Sequence, residues 1–280
     1  MRSLSIAKPG IIFGNVVTAS GGYFLGSRGH IQFLGLLITL IGMGLIIACG
    51  CILNNYIDRD IDKLMERTKN RLSAQGLISG QRLIMYAILT GLLGIIVLGL
   101  GTNLLTLFVA LIGLFGYVIV YSIWLKRTST LGTKMGAIAG AVPPVVGYCA
   151  ATNCFDLGAV LVFAILFFWQ MPHFYAISIY RLNDYKAASL PILPLKKSMS
   201  YTKICMLIYM IAFVIACILP SFFGYEGYIY FTVAFVLGLI WLYFAIQGFK
   251  TKDEVKWARK VFLFSIINIT LLCIAMAIKI

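Results

Sequence analysis

The chain has 280 residues, of which 61% are hydrophobic and only 11% are charged. Soluble domains carry about 25% charged residues, so this composition excludes an ordinary soluble domain and predicts a membrane protein. The formal net charge of +14 would suit nucleic acid. In so apolar a chain it is more typical of cytoplasmic loops that contact anionic lipid headgroups, and we expect no nucleic-acid partner.

Nine apolar runs of roughly 20 residues predict transmembrane helices, and therefore an all-α polytopic membrane protein. No separate soluble domain is visible, so residues 1–280 are predicted to form one transmembrane domain. The arrangement of the loops hints at a weak internal duplication that relates spans 1–4 to spans 5–8. The predicted spans are 9–26, 32–57, 83–101, 104–125, 132–152, 156–180, 202–220, 225–248 and 258–279.

Positive charge tests this number of spans, because loops rich in Lys and Arg stay in the cytoplasm. We name each loop by the two spans that it connects, so loop 2–3 joins span 2 to span 3. With nine spans, the N-terminus and loops 2–3, 4–5, 6–7 and 8–9 lie on one side of the membrane and contain 21 of the 23 Lys and Arg residues. The other side has only Arg28 and Lys279. We therefore predict a cytoplasmic N-terminus. No predicted span has a carboxylate at mid-bilayer, which argues against a proton-coupled transporter.

A charged block, residues 54–71, follows the second predicted span and has the composition of a metal–diphosphate site. Asn54, Asp58 and Asp62 are four residues apart, so a continuous helix would place them on one drifting stripe. An oxygen-preferring cation such as Mg²⁺ would relieve the repulsion between the carboxylates. The cations that would suit the diphosphate are Arg67, Lys69 and Arg71. The alternative is a solvated loop whose acids balance its bases.

Two further cytoplasmic loops bring charged residues to the same side of the membrane. Lys126 and Arg127 end the fourth span, and they suit either a diphosphate or lipid headgroups to which they would snorkel. In loop 6–7, Asp184 would add a carboxylate to a diphosphate site, and Arg181 and Lys186 would add cations. These loops predict a site assembled from several connections.

Two polar residues inside the spans leave alternatives open. His173 follows Pro172 in apolar, aromatic surroundings, and it is either a hydrogen-bonded packing residue, a haem ligand or propionate partner, or a general base. Asn15, near the start of the first span, bonds either a neighbouring helix or a substrate.

Together these motifs resemble the UbiA-type intramembrane prenyltransferases. The resemblance narrows to the bacterial haem O synthase branch through Asn-Asn-Tyr-Ile-Asp-Arg-Asp-Ile-Asp at 54–62, Lys-Pro-Gly-Ile-Ile-Phe-Gly-Asn at 8–15, Trp-Gln-Met-Pro-His at 169–173 and Asp-Tyr-x-Ala-Ala at 184–188. It implies nine transmembrane helices around a central cavity, in the bacterial inner membrane, with the active site toward the cytoplasm. The implied reaction transfers farnesyl from farnesyl diphosphate to a vinyl group of haem B, with Mg²⁺ as cofactor and water adding to the new side chain.

The resemblance also implies roles for individual residues. Asn54, Asp58 and Asp62 would be catalytic and would bind Mg²⁺ together with Asp184. His173 matches a position associated with haem, and the basic residues that match the diphosphate site are Arg67, Lys69, Arg71, Lys126 and Arg127. Charge alone, rather than the resemblance, adds Lys186 to the diphosphate site and suggests Arg181 or Lys186 as partners of the haem propionates. The wider superfamily has an acid four residues before Asp184, whereas this chain has Tyr180, a loss shared with the haem-modifying branch.

The chemistry requires an allylic cation to survive in an apolar, aromatic cavity until the vinyl group attacks it. Candidate aromatic residues, for which helix packing is the alternative role, are Trp124, Trp169, Phe174 and Tyr175. Possible protein partners are a terminal oxidase assembly or a haem A synthase.

Two other functions are kept as alternatives. A sibling prenyltransferase with an aromatic acceptor such as 4-hydroxybenzoate would share the acidic block, but His173 and Tyr180 favour the haem branch. A haem or metabolite transporter would need polar residues along a path through the bilayer, and these are scarce.

Overall fold

The computed structural model describes residues 6–278, and within this range the regular structure is entirely helical. Nine helices in these residues are at least 19 residues long, and they are numbered α1 to α9 in chain order. Their bounds are α1 Pro9–Ser27, α2 Phe33–Ile57, α3 Gly80–Gly101, α4 Leu104–Thr128, α5 Leu131–Thr152, α6 Leu157–Tyr180, α7 Met199–Phe222, α8 Tyr228–Lys250 and α9 Glu254–Ala275. Short helices in the connections are Arg59–Asp62, Leu182–Ala187 and Leu193–Lys196.

Among the described residues, the eight helices α2 to α9 are long and apolar enough to cross a membrane, so the chain is a multi-pass membrane protein. Their outer faces expose large apolar side chains such as Leu100 and Phe33, as lipid contact requires. The prediction of an all-α polytopic protein is confirmed. Helix α1 is more polar because it contains Asn15, Thr18 and Ser20, so the ninth crossing stays a prediction.

Capping residues, more than apolar runs, decide where several helices begin. The Ser198 hydroxyl accepts from the Tyr201 amide at 3.1 Å, and α7 begins at residue 199 instead of the predicted 202. Similarly, Asp253 Oδ1 accepts from the Lys256 amide at 2.9 Å, and α9 begins at residue 254 instead of 258. A side-chain acceptor satisfies backbone N–H groups that the first turn leaves unpaired, so helices extend past the apolar region.

Helix α1 is fixed against the second half of α5 by two glycines. A Cβ at Gly22 would lie 1.8 Å from the carbonyl oxygen of Pro144, and one at Gly147 would lie 1.9 Å from that of Ala19. The two backbones therefore touch, as small residues permit in membrane helices. Lys8 immediately precedes α1, at the end of the helix away from Gly22.

The second half of α4, Gly116–Leu125, is a π-helix. Its wider turn lets the Ser122 hydroxyl donate to the carbonyl of Tyr117, five residues earlier, at 2.9 Å. π segments within α-helices are frequent at functional sites. Nothing in the sequence analysis predicted this change of helix type.

Candidate active site

The acidic block lies where α2 ends. The continuous helix considered for this block is not formed: α2 stops at Ile57, Asp58 has φ −91° and ψ 4°, and a separate turn of helix spans Arg59–Asp62. Asn54 and Asp58 still touch, because the Asn54 amide donates to Asp58 Oδ2 at 2.7 Å. The same amide reaches the Ser122 hydroxyl on α4 at 3.1 Å. The end of α2 therefore keeps Asn54 and Asp58 in contact, while Asp62 is placed by a separate turn of helix.

Asp58 is fully buried and is bound by cations from α4. The Lys126 ammonium donates to Asp58 Oδ2, and the Arg127 guanidinium lies 3.7 Å from Oδ1. Asp58 Oδ1 has no hydrogen-bond partner among the described residues. A buried carboxylate is stable only when it is paired, so these contacts between α2 and α4 offset the cost of burying Asp58.

Asp62 is equally buried and has its own cation. Arg71 donates to Asp62 Oδ2 at 2.7 Å, and the Thr68 hydroxyl donates to the Asp62 carbonyl at 2.9 Å. The segment after the acidic block thus folds back over it. Of the three predicted basic residues in this segment, Arg67 and Arg71 line the cavity described below, whereas Lys69 is paired with Glu66 at 2.6 Å in solvent.

Asp184 connects two of the predicted loops. The backbone amide of Glu66 donates to Asp184 Oδ1 at 2.9 Å, so loop 2–3 is tied to loop 6–7. Asp184 Oδ2 is buried and has no hydrogen-bond partner among residues 6–278. Loops 2–3 and 6–7 are therefore in contact, as a site assembled from several connections would require.

Asp60 points away from the other two acids of the block. It is exposed and receives two hydrogen bonds of 2.7 Å from Arg127. These hydrogen bonds lower the pKa of Asp60 to about 2. Arg127 also donates to the Ile57 carbonyl at 2.7 Å, so it stabilises the backbone at the C-terminal end of α2.

Several predicted site residues lie outside the cavity lining. Arg181 stacks on the ring of Tyr180, with its guanidinium carbon 4.9 Å from the ring centre. Trp124 is 63% exposed, and Tyr175 is buried in the apolar core beside Tyr209. The predicted site residues that do not line the cavity are Asp58, Lys69, Trp124, Arg127, Tyr175, Arg181, Asp184 and Lys186.

Lys8 belongs to the site, although the sequence analysis gave it no role. Its ammonium donates to Asn54 Oδ1 and lies in the cavity with Arg71 and Lys126. Burial and the nearby Arg71 charge lower the pKa of Lys8 to about 7. Its place in the Lys-Pro-Gly string before span 1 was the only sequence signal.

A cavity of about 660 Å³ leads from these charges into the bundle. It is lined by residues of α1, α2, α4, α5, α6 and α9, while α3, α7 and α8 contribute none of its described lining. Its walls are mostly apolar and include Trp169 and Phe174. Asn15 lines it but donates to the Ile11 carbonyl of its own helix at 2.7 Å, which is neither of the two roles predicted for it.

His173 lies in the cavity wall and is held on several sides. Its ring stacks on Trp169 with centroids 4.6 Å apart, and Phe262 lies 4.9 Å away. The Ser265 hydroxyl gives its single hydrogen to the Phe262 carbonyl at 2.6 Å, so His173 Nδ1 must donate to Ser265 Oγ, also at 2.6 Å. The ring nitrogen Nε2 is therefore left with a free lone pair.

The donor atoms fit a hard divalent cation. Two buried carboxylate oxygens, Asp58 Oδ1 and Asp184 Oδ2, lack hydrogen-bond partners in the described structure. Within residues 6–278, however, no three acidic, His or Cys side chains are grouped closely enough to enclose a metal ion. A metal at this site would therefore also need oxygen ligands from a substrate, as Mg²⁺ with a diphosphate has.

Comparisons with known proteins agree with this geometry. The UbiA prenyltransferase family model matches residues 15–267. The chain is 48% identical over 275 residues to protoheme IX farnesyltransferase of Cronobacter sakazakii and to protoheme IX farnesyltransferase 2 of Pseudomonas putida, covering 98% of this chain and 93% of each relative.

Solved structures show the same fold. A UbiA homologue from Archaeoglobus fulgidus bound to GPP and Mg²⁺ matches with a TM-score of 0.73 at 15% identity over 99% of both chains. A digeranylgeranylglyceryl phosphate synthase matches with a TM-score of 0.79 at 18% identity, over 99% of this chain and 98% of that one. The resemblance inferred from the motifs is thus confirmed, and the chain belongs to the UbiA prenyltransferase family.

Proposed function

We propose that the chain transfers the farnesyl group of farnesyl diphosphate to a vinyl group of haem B, producing haem O with its hydroxyethylfarnesyl side chain. Relatives at 48% identity carry the name protoheme IX farnesyltransferase. The observation that carries the proposal is a pair of buried carboxylates, Asp58 and Asp62, each bound by a cation beside an apolar cavity that contains His173.

The polar end of the cavity suits the diphosphate. Arg67, Arg71 and Lys126 face it and would bind phosphate oxygens. By competing for Arg71 and Lys126, a diphosphate would free Asp62 and Asp58 for other ligands.

The same end suits Mg²⁺, which we propose as the cofactor. Asn54, Asp58, Asp62 and Asp184 would hold the ion, and when bound it would neutralise charge developing on the leaving diphosphate. Lys69, Arg127 and Lys186 do not line the cavity, so their contribution would be to the electrostatic field rather than through contact.

The apolar end suits the farnesyl chain and the acceptor. Breaking the allylic C–O bond leaves a carbocation that water would quench, and apolar walls keep water away from it. The rings of Trp169 and Phe174 line this part, and cation–π contact offers about 0.5–2 kcal/mol per well-placed ring. Haem would meet His173 Nε2, the free ring nitrogen, with Arg181 near a propionate.

His173→Ala is expected to raise KM for haem B at least tenfold and to leave KM for farnesyl diphosphate within about threefold. The reason is that Nε2 would contact haem while the diphosphate lies at the other end of the cavity. Ser265→Ala should have a smaller effect in the same direction, because it removes only the acceptor that holds Nδ1–H. Absorption spectra of haem bound to each variant and two-substrate kinetics measure this. Equal loss of both affinities would make His173 a packing residue.

The topology proposed for the chain has α1 as the ninth crossing. The distribution of Lys and Arg supports a cytoplasmic N-terminus and a cytoplasmic site in the bacterial inner membrane. Lys279 lies outside the described residues. A haem A synthase or a terminal oxidase assembly is a reasonable partner, because a prenylated haem is too apolar to diffuse freely through water.

One reconstitution decides between the acceptors. The purified protein in lipid nanodiscs receives farnesyl diphosphate and Mg²⁺ with either haem B or 4-hydroxybenzoate, and mass spectrometry identifies the products. Prenylated haem is the expected product. A prenylated benzoate without prenylated haem would support the sibling enzyme instead. Movement of haem across the membrane with no new bond formed would support a transporter.

A further inference from the structure

Gln170 is a buried amide in the cavity wall that has no hydrogen-bond partner among residues 6–278. It lies on α6, is 6% exposed and lines the cavity. Its Oε1 is buried without a partner, and no described residue bonds its Nε2. Leaving both groups of an amide unpaired in an apolar wall is costly, so such a side chain marks a place where a polar molecule binds.

Four other polar side chains that line the cavity each make a hydrogen bond within their own helix. Asn15 donates to Ile11, Thr18 to Asn15, Ser178 to Tyr175 and Thr270 to Ile266, in each case to a backbone carbonyl of the same helix at 2.7–3.0 Å. His173, one turn along α6 from Gln170, uses Nδ1 for Ser265. Gln170 therefore has more unused hydrogen-bonding capacity than these neighbours.

Gly140 on α5 makes room for this amide. A Cβ at Gly140 would lie 2.4 Å from Gln170 Oε1 and 2.5 Å from Nε2. The amide thus lies flat against the α5 backbone, which restricts its rotamers and fixes the direction in which a bound molecule would be held.

We propose that Gln170 binds the water molecule that adds to the prenylated vinyl group. This inference rests on the proposed function. The vinyl group attacks C1 of the farnesyl cation with its terminal carbon, so a C–C bond forms and a cation is left on the carbon next to the porphyrin ring. Water then adds to that carbon and loses a proton, which the released diphosphate accepts.

The cation on the carbon next to the porphyrin ring can react in two ways, and a bound water decides between them. In a dry cavity it would lose a proton and become an alkene, whereas a water molecule held nearby gives the alcohol. Oε1 is buried, and Nε2 is the amide atom that remains open to the cavity, so Nε2 can donate to the oxygen of this water and leave the second oxygen lone pair directed at the cation. One ordered water at a fixed place also limits quenching of the earlier farnesyl cation.

The test is the product distribution of Gln170→Met, which keeps the length and the unbranched shape of the side chain but removes the amide. The share of hydroxylated haem is expected to fall at least tenfold, replaced by a product lighter by one water, while diphosphate release stays within about threefold of wild type. Gly140→Ala, which displaces the amide without changing it, should shift the products the same way but less.

Two results would overturn the inference. One is an unchanged share of hydroxylated product from Gln170→Met. The other is parallel loss of diphosphate release and of both products by folded Gln170→Met and Gln170→Leu, which would assign Gln170 to substrate binding. If wild type prenylates no haem at all, the proposed function fails instead, so the two failures are distinct.

Discussion

Asp58→Asn and Asp62→Asn will each lower the rate of farnesyl transfer about a thousand-fold. Each change keeps the shape of the side chain and removes one of the two buried charges beside the cavity. Without that charge, the proposed Mg²⁺ would lose a ligand, and Lys126 or Arg71 would lose the carboxylate that positions it. Initial rates at saturating substrates in nanodiscs measure the loss. Size-exclusion profiles and thermal unfolding show whether each variant is folded.

Asp60→Asn is the matched control for these variants. It belongs to the same block and carries the same charge, but it is exposed and bonded to Arg127 outside the cavity. Its rate should stay within about threefold of wild type, because exposed ion pairs contribute little. If Asp60→Asn were as inactive as the other two, net charge of the block rather than its geometry would control the reaction. Normal turnover in Asp58→Asn and Asp62→Asn would remove the metal role.

Lys8→Met is expected to lower kcat/KM for farnesyl diphosphate about a hundred-fold. The Lys8 ammonium lies in the cavity on Asn54 and shares this region with Arg71 and Lys126, so it would contact the incoming diphosphate. Lys63→Met is the matched control, because Lys63 is an exposed lysine of the acidic block outside the cavity lining. Steady-state kinetics of both variants test the role. An equal effect of the two substitutions would contradict it.

Lys8 should also give diphosphate binding a pH dependence. Its pKa in the free protein is lowered to about 7, and a bound polyanion would raise that pKa. Affinity is therefore full below pH 7, where Lys8 is charged with or without ligand, and falls as the pH rises above 7 until the pKa of the complex is reached. Lys8→Arg stays charged throughout, so the ratio of wild-type to Lys8→Arg affinity should decline above pH 7. A constant ratio would show that Lys8 does not titrate there.

Much of the fold and part of the site could be predicted from the sequence alone. Helices α2 to α9 follow from apolar runs, because the bilayer demands a fixed length of continuous apolar helix. The acidic block and the cations Arg71 and Lys126 could be found because charges are costly in so apolar a chain. Asp184 was placed with them through its loop, and it does contact loop 2–3.

The parts that sequence could not determine depend on contacts between distant segments. Asp58, Asp60 and Asp62 look alike in the sequence. The end of α2 at Ile57 buries Asp58 and Asp62 and exposes Asp60. Lys8 lies at the site through its contact with Asn54, which is 46 residues away in sequence and which no local pattern indicates.

The hydrogen-bond partners of the side chains in and around the cavity also depend on tertiary structure. The π segment turns Ser122 towards Asn54, and Ser265 on α9 decides which nitrogen of His173 carries the hydrogen. Gln170 lies three residues before His173, and the sequence indicated no role for it. Its packing against Gly140 and its buried Oε1 without a described partner are seen only in the folded structure. Composition and spacing determine which chemical groups the chain has. Their burial, partners and free lone pairs are decided only when helices far apart in sequence meet.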